Sequence, residues 1–339
     1  MTRLDTDDAV ADERATTGDG PQALLLESRE VPLGGVRAMT VHRSLPQRDL
    51  PLVGAWCFLD RFGPQVTRMR VEPHPHIGLQ TVTWPFVGEI RHRDSIGSDV
   101  TLRPGALNLM TSGAGIAHSE YSIGDAAIEL DALQLWVALP ESRRHGVAAF
   151  ERHEELPTIE IAGLSGPAAT ATVVLGEFAG VRSPATVYTP IVGAQLRIPA
   201  GSRVAVALNP DWEYALVGVE GVTSVTTGVP ASGAAVTTDT ADGVALDRHH
   251  LLYLGTSREA IEIASHDGAL LFLLGGAPFE DDIVMWWNFV GRAHEEIVDA
   301  RDAWEAGTAR FGRVIDHGDE RVPAPPLPAV RLTRRRRRS

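Results

Sequence analysis

The feature that most restricts this chain is alternation with a period of two, cut at short intervals by glycine and proline. Val82, Trp84 and Phe86 alternate with Thr83 and Pro85, and Leu133, Leu135, Val137 and Leu139 alternate with Gln134, Trp136 and Ala138. Val100 and Leu102 lead into an Arg103-Pro104-Gly105 turn. Successive side chains of a strand point to opposite faces, so the pattern describes half-buried strands. Turns at this spacing join them antiparallel. With 33 glycines and 22 prolines in 339 residues, the chain has enough turn formers for many short strands. Over residues 166–280 the order recurs: a run at Ala194–Arg197, the turn Pro199-Ala200-Gly201, then Val204–Ala207. The prediction is an all-β fold of two tandem jelly-roll β-barrels with a C-terminal helix.

The expected organisation is a disordered leader at 1–20, a first barrel at 21–140, a connector at 141–165 and a second barrel at 166–280. A helical segment at 281–315 and a Pro/Arg-rich, solvated tail at 316–339 follow. The helix is expected at His294–Ala306. There Ile297, Ala300 and Trp304 form an apolar stripe at i, i+3 and i+7, and Gly307 offers a stop.

Charge and cysteine content exclude several functions. The formal net charge is −13, and six arginines lie within residues 331–339, so the rest of the chain is more acidic still. Such a body repels phosphate backbones, which argues against direct nucleic-acid binding. No lysine occurs, and all 31 basic residues are arginine. The single Cys57 cannot form an internal disulfide and reads as a small buried hydrophobe. No run approaches the length of a membrane span and the start lacks a signal-peptide pattern, so the expected location is the cytoplasm.

The chemistry concentrates in two short motifs. In His74-Pro75-His76 the imidazoles sit at i and i+2, so both can enter one barrel interior. His118-Ser119-Glu120 repeats the spacing with one imidazole and one carboxylate. Together they offer three nitrogens and one oxygen as candidate ligands for a transition metal; read alone, the first motif also fits two surface or turn histidines and the second a surface ion pair. Other motifs carry less. His92-Arg93-Asp94 mimics a kinase catalytic loop, but a chain without lysine has no kinase machinery. His92 is instead read as a satisfied strand histidine. Gly113-Ala114-Gly115 lacks the βαβ setting of a dinucleotide loop and is read as a turn feeding the His118 strand. Trp286 and Trp287 are expected in packing.

These motifs and their flanks resemble the pirin family of the cupin superfamily. The matching text is HPHIGLQTVTW, then VGEIRHRDSIGSDVTLRPGALNLMTSGAGIAHSE, then GGAPFEDDIVMWWNFV and EEIVDARDAWEAG with RFG. The resemblance implies two cupin barrels face to face, with one metal in the first, held by His74, His76, His118 and Glu120. Gln80 stands where the general cupin motif carries a glutamate. The second barrel has no H-x-H and is expected to be metal-free. Fe(II) is the expected divalent metal, with Mn, Ni, Co and Cu as alternatives.

Some pirins are similar in activity to quercetin 2,3-dioxygenases, which implies O2 and a small aromatic substrate, with Glu120 as the catalytic base. Others act as redox-responsive regulators of a transcription factor or a metabolic enzyme, which implies a protein partner. Val82, Trp84, Met110, Gln134 and Trp136 are expected to wall a largely apolar pocket for a flat aromatic ligand.

Overall fold

The computed structural model describes residues 20–33, 39–227 and 243–335. The predicted leader, apart from Gly20, and residues 336–339 at the end of the predicted tail lie outside them. The first barrel is built from strands β2 (Arg29–Leu33), β3 (Met39–Leu45), β4 (Trp56–Thr67), β5 (Arg70–His76), β6 (Leu79–Val87) and β7 (Ile90–Asp94). To these it adds β8 (Asp99–Leu102), β9 (Leu107–Thr111), β10 (Ile116–Ser122), β11 (Ile128–Ala138) and β12 (Ala149–His153). They form a seven-stranded sheet, β12-β9-β6-β11-β4-β3-β2, and a four-stranded sheet, β5-β10-β7-β8. The second barrel pairs an eight-stranded with a five-stranded sheet. The tandem all-β architecture is therefore as predicted.

One strand from before the first barrel joins the second, and the expected connector adds a strand to the first. β1 (Pro21–Glu27) pairs with the strand His250–Gly255 of the second barrel. β12, within the expected connector, pairs with β9 of the first barrel.

The two larger sheets pack face to face over one apolar layer. Trp56, Val82, Trp84, Leu133 and Leu135 from the first barrel meet Val174, Val217, Tyr253 and Phe272 from the second. The polar groups in this layer are paired. Trp56 Nε1 donates to the carbonyls of Val192 and Gly275 at 3.1 and 3.2 Å, and Trp84 Nε1 donates to Gln195 Oε1 at 3.0 Å. Trp56 is fully buried. Trp56→Ala is expected to cost about 3–5 kcal/mol by opening a cavity in the layer. Chemical denaturation should show it; a loss under 1 kcal/mol would mean the barrels are held elsewhere.

Two glycine turns deliver the histidine strands. Gly78, after β5, has φ +69°, and a Cβ there would lie 2.0 Å from the Val290 carbonyl. Gly113, before β10, has φ +50°, and a Cβ would lie 2.1 Å from the Gly146 carbonyl. Only glycine fits either place.

The helix α1 covers His294–Glu305 and buries Ile297, Ala300 and Trp304 as its stripe requires. It packs with Trp286, Trp287 and Phe289. The segment after it departs from the expected solvated tail. Val322, Leu327 and Leu332 pack on the α1 cluster, Val322 N–H donates to the Pro73 carbonyl at 2.8 Å, and Arg335 N–H donates to the Ile283 carbonyl at 2.7 Å. Apolar residues spaced between the prolines give the tail a face to bury, which its overall composition concealed.

Candidate metal centre

The smaller sheet of the first barrel aligns the two motifs. β10 runs antiparallel to β5, so His118 lies directly opposite His74, with Ile116 opposite His76. On its other side β10 pairs with β7, which sets His118 opposite Asp94 and Glu120 opposite His92. His76 and His118 are 1% exposed, Glu120 5% and His74 8%, so all four expected ligands are buried.

Two groups of side chains bring ligand atoms within 4.8 Å of one another there: His74, His76 and His118, and then His92, His118 and Glu120. His118 belongs to both. Glu120 thus stands with His92 and His118, beside the histidine triad.

The proton positions on the triad follow from its outer partners. His74 Nδ1 lies 2.9 Å from the Glu72 carbonyl, and His76 Nδ1 lies 3.1 Å from the Asn288 carbonyl. A carbonyl only accepts, so each ring carries its proton on Nδ1 and a bare lone pair on Nε2. His118 is set by a longer chain. Asp94 Oδ1 accepts the Ile96 and Ser98 N–H groups, and its Oδ2 lies 3.2 Å from His92 Nε2. Burial would raise the Asp94 pKa, but the hydrogen bonds from His92 and Ser98 outweigh it and hold the group ionised. His92 therefore gives Nε2–H to Asp94 and leaves Nδ1 bare, 3.3 Å from His118 Nδ1. His118 donates there, and its Nε2 is bare as well.

All three imidazoles thus turn a lone pair inward, and His76 Nε2 and His118 Nε2 stand 3.1 Å apart with no proton for a bond between them. Two nitrogens each about 2.1 Å from one cation, at right angles, lie about 3.0 Å apart. The arrangement fits a divalent transition metal and is repulsive without a cation. Carboxylate–histidine–ligand chains of this kind orient metal-binding imidazoles.

Burial also keeps the triad neutral. His74 is lowered from 6.5 to about 4, mainly by burial. His76 and His118 lie well below the usual value, by burial and then by the neighbouring imidazoles. Burial raises Glu120, against smaller opposing effects of His92 and Thr83. A depressed histidine stabilises the fold fully above its unfolded pKa of about 6.5, and that stability is lost as pH falls toward the folded value. For His74 the shift from 6.5 to about 4 corresponds to ~3 kcal/mol. His76 and His118 act in the same sense, and Glu120, raised by burial, acts with the opposite sign. Chelator-treated protein should therefore lose thermal stability steadily between pH 6.5 and 4. A flat midpoint over that window would contradict the buried neutral triad.

The expected pocket walls divide between two faces. Met110, Gln134 and Trp136 lie on the side of the larger sheet that faces the histidines; the Trp136 ring meets His76 edge-on at 5.2 Å. Val82 and Trp84 do not line this side. They point the other way, into the layer between the barrels. The side that faces the histidines presents Thr81, Thr83 and Asn108, so it is more polar than expected.

Sequence reasoning placed His92 among ordinary strand histidines and left out Asp94, Thr83 and His317. The His-Arg-Asp spacing was the available signal, since it puts His92 and Asp94 on one face of β7. His317, from the tail, packs behind β10, with Nε2 2.9 Å from Ser119 Oγ. Cys57 is buried, and burial pushes its thiol up to about 12, so it is an unreactive core group.

In the second barrel the interior is filled by Val173, Leu196, Val204, Leu216, Ile263 and Leu271.

The comparisons agree with this geometry. The Pirin family model matches residues 38–137, and the Pirin C-terminal cupin domain model matches residues 193–312. A Pseudomonas aeruginosa protein named "putative quercetin 2,3-dioxygenase" is 41% identical over 305 residues, covering 89% of each chain. A pirin-like protein of Caulobacter vibrioides is 32% identical, over 89% of this chain and 99% of its own. A crystal structure of quercetin 2,3-dioxygenase from Acinetobacter baumannii superposes with a TM-score of 0.81 at 36% identity, covering 91% of this chain and 97% of that one. Two barrels joined through their larger sheets, a histidine triad in the first and matches to both domain models place this chain in the pirin family, within the cupin superfamily.

Proposed function

We propose that this protein is a metal-dependent dioxygenase that opens flavonol-type substrates with O2. The observation that carries the reading is the convergence of three bare imidazole nitrogens beside a buried carboxylate. The relatives named for quercetin 2,3-dioxygenase support the substrate class. His74, His76 and His118 would hold the metal, with Glu120 as the fourth ligand. Fe(II) suits this mixed nitrogen and oxygen set. When bound, the metal supplies Lewis acidity and open positions for a chelating substrate and O2.

The chain's own residues do the rest. Glu120 takes the proton of the flavonol 3-hydroxyl. Burial raises its affinity for that proton. Thr83 Oγ1 stands 3.3 Å from Glu120 Oε1 and holds the carboxylate in place. The Asp94–His92 chain keeps the His118 lone pair turned inward.

Oxygen uptake by protein loaded separately with Fe, Mn, Ni, Co and Cu, with a panel of flavonols, tests the reading. Uptake with loss of flavonol absorbance is expected for at least one metal. No uptake with any would remove the dioxygenase and leave the regulatory reading, in which the metal's oxidation state alters a surface for a protein partner.

A further inference from the structure

The larger sheet of the first barrel carries an unusual row on the side facing the histidines. Arg152, Asn108, Thr83, Gln134, Asp60 and Arg43 lie directly opposite one another across six neighbouring strands. At one end Arg43 and Asp60 satisfy each other through two bonds of 2.7 Å. In the middle the Thr83 hydroxyl lies 2.9 Å from Gln134 Oε1 and 3.3 Å from Glu120 Oε1. At the other end the row breaks. Asn108 Oδ1 and Arg152 Nε are both buried, and neither has a hydrogen-bond partner among the described residues.

These two orphans are an acceptor and a donor on adjacent strands, and Asn108 is only 3% exposed. They flank the centre. Phe150, on the same face of β12 as Arg152, stacks on His92 with ring centroids 4.6 Å apart. Thr83, opposite Asn108, reaches Glu120. The outer end of Arg152 is anchored at the rim, with Nη2 2.7 Å from Glu154. Its Nε–H is left free inside. Buried polar groups in native proteins are paired, so an orphan pair beside a reactive centre marks where a ligand atom belongs.

We propose that Asn108 and Arg152 together receive one hydroxyl of the substrate, remote from the oxygens that meet the metal. A hydroxyl both donates and accepts. Its proton goes to Asn108 Oδ1 and its oxygen takes the Arg152 Nε–H, so one group satisfies both. The next row of the sheet is Phe150, Met110, Thr81, Trp136 and Phe58, with Phe58 and Trp136 stacked at 3.9 Å. That row suits the face of a planar ring. The ligand class is a planar aromatic carrying a ring hydroxyl in addition to its chelating pair. This inference rests on the flavonol reading above and specifies which flavonols are selected.

The test is equilibrium binding without oxygen, read by quenching of protein fluorescence on metal-loaded protein. The two probes are quercetin, which has additional ring hydroxyls, and 3-hydroxyflavone, which has none. Wild type should bind quercetin about 10–100-fold more tightly. Asn108→Leu should lose most of that preference while binding 3-hydroxyflavone within about twofold of wild type. Arg152→Lys keeps the rim charge, removes Nε and should do the same. The double variant should lose little more than either single one, because one hydroxyl serves both groups. Metal content should be unchanged in each. Equal losses for both probes, or no loss for either, would overturn the assignment. Wild type that consumes O2 with both flavonols yet binds them equally overturns the assignment alone. Wild type that binds neither overturns the flavonol reading, and the assignment with it.

Discussion

His118→Ala is expected to empty the centre. This ring belongs to both groups of candidate ligands, and it alone links the His74–His76 pair to the His92–Glu120 side. Its removal takes away one nitrogen and also disconnects the Asp94–His92 chain that orients it. Loss of an orienting partner alone typically costs about 10–100-fold in metal affinity. Loss of a ligand together with its support should cost at least about 10³-fold, leaving no metal after dialysis. Metal per chain by mass spectrometry decides it, with His92→Phe as the comparison expected in the 10–100-fold range. His118→Ala protein that retained one tightly held metal would place the centre elsewhere.

Glu120→Gln should separate metal binding from turnover. Glutamine keeps the volume and an oxygen for Thr83 but removes the basic carboxylate. Glu120 is 5% exposed and its pKa is raised by burial, so no water-borne base replaces it easily. Loss of a general base costs about 10²–10⁴ in rate. The variant should keep its triad and much of its metal while losing flavonol turnover on that scale. Metal content and oxygen uptake on one preparation give the answer. Full turnover with full metal would remove Glu120 as the base and leave the triad assignment intact.

The two predictions differ in how directly they could be read from the chain. The i, i+2 spacing of His74 with His76, and of His118 with Glu120, dictates that each pair shares a face of its strand. The alternation over 82–86 and 133–139 likewise dictates strands with two unlike faces, and the stripe Ile297, Ala300 and Trp304 dictates a helix with one buried side. These are local consequences of backbone geometry, and the structure holds them all.

Only the tertiary structure decided which layer each face meets. Val82 and Trp84 form the apolar face of β6, and a chain read alone assigns that face to a pocket for an aromatic ligand. The second barrel's larger sheet covers it instead, because burying apolar surface between two sheets is the largest available gain. The polar alternates Thr81 and Thr83 are thereby turned toward the histidines. In the same way, the pairing of β7 with β10 made His92 and Asp94 part of the centre. Strand pairing brings together residues distant in sequence, and no local spacing encodes it. The C-terminal segment shows the same limit: its prolines and arginines describe a solvated chain, while its docking depends on a surface formed by α1 and β5. Sequence spacing determined what each strand could present; the packing of one barrel against the other determined to what it was presented.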